Sequence, residues 1–97
     1  MFIYVIGTDD KQKIGISGDV HQRLRTLQTG NPEKLVIHHT IEVPSSRSRL
    51  IERMIHKEFS YLRLKGEWFS MTPEKAKLLL DFASISWTDD PLLEYKV

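Results

Sequence analysis

The run Phe2-Ile3-Tyr4-Val5-Ile6 constrains the fold more than any other segment. It is β-branched and aromatic, and the polar turn Gly7-Thr8-Asp9-Asp10-Lys11 stops it, so it reads as a buried strand. Lys13-Ile14-Gly15-Ile16-Ser17 reads as a second strand, and two short strands joined by such a turn favour an antiparallel hairpin. Gly15 weakens its strand and marks a place where another group comes close to the backbone.

The following segments supply the cover. A first helix is predicted from near Asp19 to about Gln28, with Ser17 or Asp19 as cap. Val20, Leu24 and Leu27 share its inward face, Arg23 lies on the flank of that face, and Arg25 lies further round. Gly30 suits a left-handed cap, and Pro32 prevents continuation. A third strand covers Leu35 to Val43, where Leu35, Ile37, His39, Ile41 and Val43 have one parity and form an apolar face broken by His39. After Pro44-Ser45-Ser46 a second helix runs to about Tyr61, with Phe59 and either Leu50 and Met54 or Ile51 and Ile55 toward the core. Glu52 and His56 project from one side of it. Lys65-Gly66-Glu67-Trp68-Phe69 is a turn entering a short extended segment. Thr72-Pro73-Glu74 opens a third helix: a capping hydroxyl, a proline at the first position, an acid in the first turn. Ala76, Leu79, Leu80 and Ala83 carry that helix to near Ile85. The expected architecture is α+β: a small, three-stranded, mostly antiparallel sheet flanked by helices in the order β-β-α-β-α-α. It occupies residues 1–86, and residues 87–97 form an acidic tail.

With 97 residues, 40% of them apolar, the chain has room for one domain. It contains no cysteine, which excludes disulfides, zinc thiolates, iron–sulfur clusters and thiol catalysis. No apolar run approaches the ~18 residues of a membrane span, and the N-terminus lacks the pattern of a cleavable signal, so a soluble intracellular domain is expected. Residues 1–80 hold thirteen Lys/Arg against nine Asp/Glu, a balance of +4, and residues 81–97 have a balance of −3. A mildly basic body is compatible with a polyanionic partner and equally with an ordinary solvated surface.

There is no P-loop, GxGxxG, HExxH or GxSxG motif. The candidates are a dispersed set: Tyr4, Lys13, Arg23, Glu52, His56 and Glu67. Singly, each has an ordinary structural reading. His38 and His39 point in alternate directions along a strand, which disfavours one shared metal. Their order, however, is specific. Phe2-Ile3-Tyr4, Lys13-Ile14-Gly15, Arg23-Leu24, the Leu-Gln-Thr-Gly-Asn-Pro-Glu run at 27–33, Glu52 with His56, and Gly66-Glu67-Trp68-Phe69 follow one another over residues 2–82. In this the chain resembles the GIY-YIG endonuclease superfamily, especially its small phage and meiotically up-regulated-gene branch. Phe2 stands where the name-giving Gly is usual, and Lys13 where the second Tyr is usual.

The resemblance implies a divalent-metal-dependent endonuclease acting on DNA. Glu52 binds Mg²⁺ or Mn²⁺ through oxygen, Arg23 holds a non-bridging phosphate oxygen, and Tyr4 orients or deprotonates the attacking water. Phenolate formation needs a nearby cation, and Lys13 fits that need or contacts phosphate itself. His56 is the alternative base. The family's usual Asn after the Glu-bearing helix is missing; Glu67 lies in that region and either substitutes for it or shapes the turn before Trp68. Two other readings stand beside this one. One is a non-cleaving nucleic-acid-binding module in which Lys13, Arg23, Arg25, Arg47 and Arg53 hold phosphates. The other is a protein-interaction domain using the apolar, acidic C-terminus. Strong sequence specificity would call for a homodimer, a further domain or a partner protein.

Overall fold

The computed structural model describes residues 1–88. Strands β1 (Phe2–Gly7) and β2 (Lys11–Ser17) form the expected hairpin, in a register that pairs Tyr4 with Gly15 and Ile6 with Lys13. Thr8 tightens its turn: its amide donates to the Lys11 carbonyl at 2.9 Å, and its hydroxyl donates to Asp10 at 3.1 Å. Strand β3 (Val36–Glu42) lies along the other side of β1. The sheet has five strands, not the three expected, in the order β3-β1-β2-β5-β4, and every pairing is antiparallel.

The two additional strands, β4 (Arg63–Lys65) and β5 (Trp68–Ser70), are each three residues long, too short for alternation to reveal. They meet at Gly66, whose φ of +59° suits the first position of a two-residue hairpin loop. The extended segment after Glu67 is therefore a sheet strand, and β5 pairs with β2 over Lys11–Lys13.

Central strand β1 is covered on both faces, which is why its sequence is an unbroken apolar run. Ile3 and Val5 join the larger core with Ile51, Ile55 and Phe59, and with Ala76, Leu80 and Ala83. These come from α2 (Ser48–Glu58) with the residue that follows it, and from α3 (Pro73–Thr88). Tyr4 and Ile6 face the opposite way, into a smaller core with Val20, Leu24 and Leu27 of α1 (Val20–Thr29). Asp19 caps α1 by accepting from the Gln22 amide at 3.0 Å, and the Thr72 hydroxyl accepts from the Lys75 amide at 3.2 Å at the start of α3.

Five local expectations are revised or settled. The single apolar parity of the third strand is broken by a bulge: Val5 pairs with His39 but Ile6 pairs with Ile37, so His38 is the extra residue. Leu35 and Ile37 consequently pack with α1, whereas Ile41 and Val43 pack with the core under α2 and α3. The second helix ends at Glu58 rather than Tyr61 and passes into a 3₁₀ turn over Ser60–Leu62. Its buried side chains are Ile51 and Ile55, not Leu50 and Met54. Gly30 ends α1 at φ −98°, outside the left-handed region. Helix α3 runs through Thr88, past the expected boundary at residue 86; the remainder of the expected tail, 89–97, lies outside the described residues. Among the described residues no helix is long and apolar enough to cross a membrane.

Candidate functional site

The site forms because β5 is shorter than β2. Pairing between them stops at Lys13–Trp68, so from Ile14 onward β2 passes an open edge. In an antiparallel strand alternate residues turn both main-chain polar groups to the same side, and here Ile14 and Ile16 turn theirs outward, away from β1. The Ile14 amide donates to the Glu67 carbonyl at 3.3 Å, and its carbonyl accepts from His56 Nε2 at 2.7 Å. The Ile16 amide lies close enough to the Glu52 carboxylate to favour its charged form. A helix advances about 6 Å over four residues and a strand about 6.6 Å over two. Glu52 and His56 are thereby spaced to seal the open edge of β2, and their place on one side of α2 is accounted for.

Because a carbonyl only accepts, His56 Nε2 carries the proton, and in the neutral ring Nδ1 is left with a free lone pair. Phe69 packs edge-on against the ring, centroid to centroid 5.2 Å, and holds its plane. Glu67, on the β4–β5 turn, completes a group: one ligand atom each from Glu52, His56 and Glu67 lies within 4.8 Å of the others.

Tyr4 approaches from the α1 face. It is fully buried, and the phenol end of its ring presses on Gly15, where an added Cβ would sit 2.5 Å from the phenol oxygen and 2.8 Å from Cζ. This is the close approach that the glycine foreshadowed. Arg23 Nε donates to Tyr4 Oη at 3.2 Å. Burial pushes the Tyr4 phenol above its ordinary value of 10.0, and the Arg23 hydrogen bond and charge only partly offset it. The cation beside the phenol is therefore Arg23, not Lys13, and the phenol is neutral at physiological pH. The Tyr4 hydrogen bond in turn holds Arg23 firmly in its charged form. The charges of Glu52 and Glu67 act on both Tyr4 and Arg23. Lys13 is occupied elsewhere: its ammonium is 3.4 Å from Glu67 and 5.6 Å from the Trp68 ring centroid.

Desolvation and the facing Glu67 carboxylate push Glu52 above the ordinary glutamate value of 4.5, against the pull of His56, the Ile16 amide and Arg49. The folded state thus holds the Glu52 proton more tightly than the unfolded chain does. The stability contribution of this group is best in acid, falls as pH rises from the unfolded value through the raised folded one, and carries its full penalty above that. Glu52→Gln keeps the shape and polarity of the side chain and removes the penalty. Without divalent ions, its Tm is expected to exceed that of the parent near pH 7, with the gap closing toward about pH 4; equal Tm values near pH 7 would refute this account.

The T5orf172 domain model matches residues 1–84. The chain belongs to the T5orf172 domain family. No curated protein and no solved structure matches it.

The remaining site candidates of this T5orf172 domain are dispersed. Arg25 is exposed and donates to Gln22 at 3.0 Å. Arg47 lies in the 3₁₀ turn before α2. Arg53 is exposed, and with Arg49 and Glu52 it lines a shallow depression of about 310 Å³. Sequence reasoning passed over Arg49, although its positions relative to Glu52 and Arg53, three and four residues away, are the helical same-face signal. Arg49, Arg53 and Lys57 make an exposed basic stripe beside Glu52 and His56. His38 and His39 diverge as expected: His38 meets the Thr8 carbonyl at 3.2 Å and His39 meets Asp81 at 2.6 Å.

Proposed function

We propose that this T5orf172 domain is a divalent-metal-dependent endonuclease of GIY-YIG type that hydrolyses DNA phosphodiester bonds. What supports the reading is the Tyr4–Arg23 hydrogen bond, near enough to Glu52 and Glu67 for their charges to act on it, together with the Glu52–His56–Glu67 group. The family, which occurs in phage and endonuclease-like proteins, agrees with it.

The residues suit a hard cation. Glu52 and Glu67 face each other with repulsion that a divalent ion would cancel, and carboxylate oxygens are the donors that Mg²⁺ and Mn²⁺ favour. Glu52 would be the anchoring ligand, and a cation held there would supply charge neutralisation for the scissile phosphate and the leaving 3′ oxygen. Arg23, kept charged and aimed by Tyr4, clamps a non-bridging phosphate oxygen. Tyr4 is buried and receives the Arg23 hydrogen bond on its oxygen, so it acts by fixing the guanidinium, and its own proton would reach the attacking water only once the phenol is uncovered. His56 Nδ1 is the base that takes the water's proton, since Nε2 is committed to Ile14.

The test is plasmid cleavage by the purified chain with Mg²⁺ or Mn²⁺, which is expected to nick or cut DNA and to stop on chelation. DNA left intact with each ion overturns the catalytic reading. If such a protein still binds DNA without metal, with affinity falling steeply in salt, it is a binding module instead. Arg49 and Arg53 border Glu52 and are assigned to the DNA backbone. The double variant Arg49→Gln/Arg53→Gln is expected to reduce the slope of log K against log salt by about 1.8, from ~0.9 per phosphate contact on duplex DNA. An unchanged slope would take both residues out of the interface.

A further inference from the structure

The Glu67 carboxylate has two possible cationic partners. It lies 3.4 Å from the Lys13 ammonium, with the two side chains 36% and 14% exposed respectively, and it is also in the 4.8 Å group with Glu52 and His56. A divalent ion lies about 2.0–2.6 Å from each oxygen ligand. Two oxygens up to about twice that distance apart can therefore share one ion, and from within 4.8 Å of each other the Glu52 and Glu67 carboxylates reach a shared Mg²⁺ or Mn²⁺ with at most a small side-chain movement. A 2+ ion attracts a carboxylate more strongly than an ammonium does, and one carboxylate cannot fully neutralise both.

We infer that Lys13 is a resident counter-ion to Glu67, displaced when a divalent ion enters at Glu52 and recruits Glu67 as its second oxygen ligand. The ammonium is then free to meet a phosphate at the same site. Trp68 keeps it there, since Lys13 Nζ already sits over the indole face and loses only its carboxylate partner. Metal binding and phosphate binding are thereby coupled: the ion that occupies Glu67 also makes a second cation available. This inference rests on the nuclease reading only in placing the ion at Glu52; the roles of Glu67 and Lys13 are its own content.

The test uses the full chain carrying Trp87→Phe, which leaves Trp68 as the sole indole of the two in the sequence. Mn²⁺ affinity is read from the electron paramagnetic resonance of the free ion, and Trp68 emission is followed while Mg²⁺ is added. Emission is expected to change saturably. Glu67→Gln is expected to weaken Mn²⁺ binding about tenfold or more, at least the scale of losing a supporting residue of a metal site. Lys13→Met, which keeps the aliphatic packing, is expected to tighten Mn²⁺ binding roughly two- to fivefold, the strength of a partly exposed ion pair, and to abolish the emission change. Lys11→Met removes the same charge from an exposed position and should leave affinity unchanged, so tightening by both lysine variants would refute a specific exchange. Mn²⁺ binding by Glu67→Gln as tight as the parent's, or weaker binding by Lys13→Met, overturns the inference while leaving metal-dependent cleavage standing. A parent chain that binds no Mn²⁺ and cuts no DNA overturns the nuclease reading, and the inference with it.

Discussion

Glu52→Gln is expected to lower metal-dependent DNA cleavage by about 10²–10³-fold or more, the range seen when one preorganised electrostatic stabiliser of a transition state is removed. The substitution separates the two roles of the residue. As a side chain lying beside the Ile16 amide, Glu52 covers the open edge of β2, and a glutamine of the same shape does this equally well. As an anion in a partly desolvated place opposite Glu67, it is unfavourable for the fold and useful only with a cation. Loss of cleavage together with a raised metal-free Tm is therefore the expected signature. Loss of cleavage with a collapsed Tm would instead assign Glu52 a purely structural task. Undiminished cleavage would remove Glu52 from the reaction.

Gly15→Ala is expected to cost the domain a substantial part of its stability. The new Cβ would fall 2.5 Å from Tyr4 Oη and 2.8 Å from Cζ. Neither atom can withdraw easily: Tyr4 is fully buried among Ile6, Val20 and Leu35, and its hydroxyl is tied to Arg23. Overpacking of this kind costs about 1–3 kcal/mol, and the gain of about 0.4–1 kcal/mol from stiffening the unfolded chain offsets only part of it. Since a domain of this size has a total stability of about 5–15 kcal/mol, a Tm fall of roughly 5–15 °C is expected from a net loss of ~1–2 kcal/mol. On the proposed function, cleavage is expected to fall too, because displacing the phenol would turn the Arg23 guanidinium. Pairing the substitution with Tyr4→Phe removes the nearer clash, so part of the stability should return without the activity. The two changes are expected to be non-additive by about 0.5 kcal/mol or more. Additive losses would show that the ring is not pressed on Gly15.

Much of the hairpin was legible because its signals are local. The apolar run, the Thr8–Asp10 turn, the Asp19 and Thr72 caps and the glycine opposite Tyr4 each act within a few residues or across one strand pair. The same-side placement of Glu52 and His56 is likewise a matter of helical period. What faces them is not. The open edge exists only because β5 stops after three residues, and neither its length nor that of β4 leaves a periodic trace. The bulge at His38 is equally silent: one extra residue exchanges the two halves of β3 between opposite cores, while the apolar alternation reads straight through. The partner of Lys13 was misread for a related reason. Charge type shows that a cation is available, but only distance shows that Arg23 reaches the phenol and Lys13 reaches Glu67.

Residue order by itself determined the elements that short-range forces specify: where strands turn, where helices begin, and which side chains on one element share a direction. Tertiary structure alone decided that α2 lies along the unpaired edge of β2, and that the β4–β5 turn brings a second carboxylate to the one on that helix. Hydrogen-bonding and electrostatic partners are chosen by separation in space, and here that separation follows from where a neighbouring strand ends.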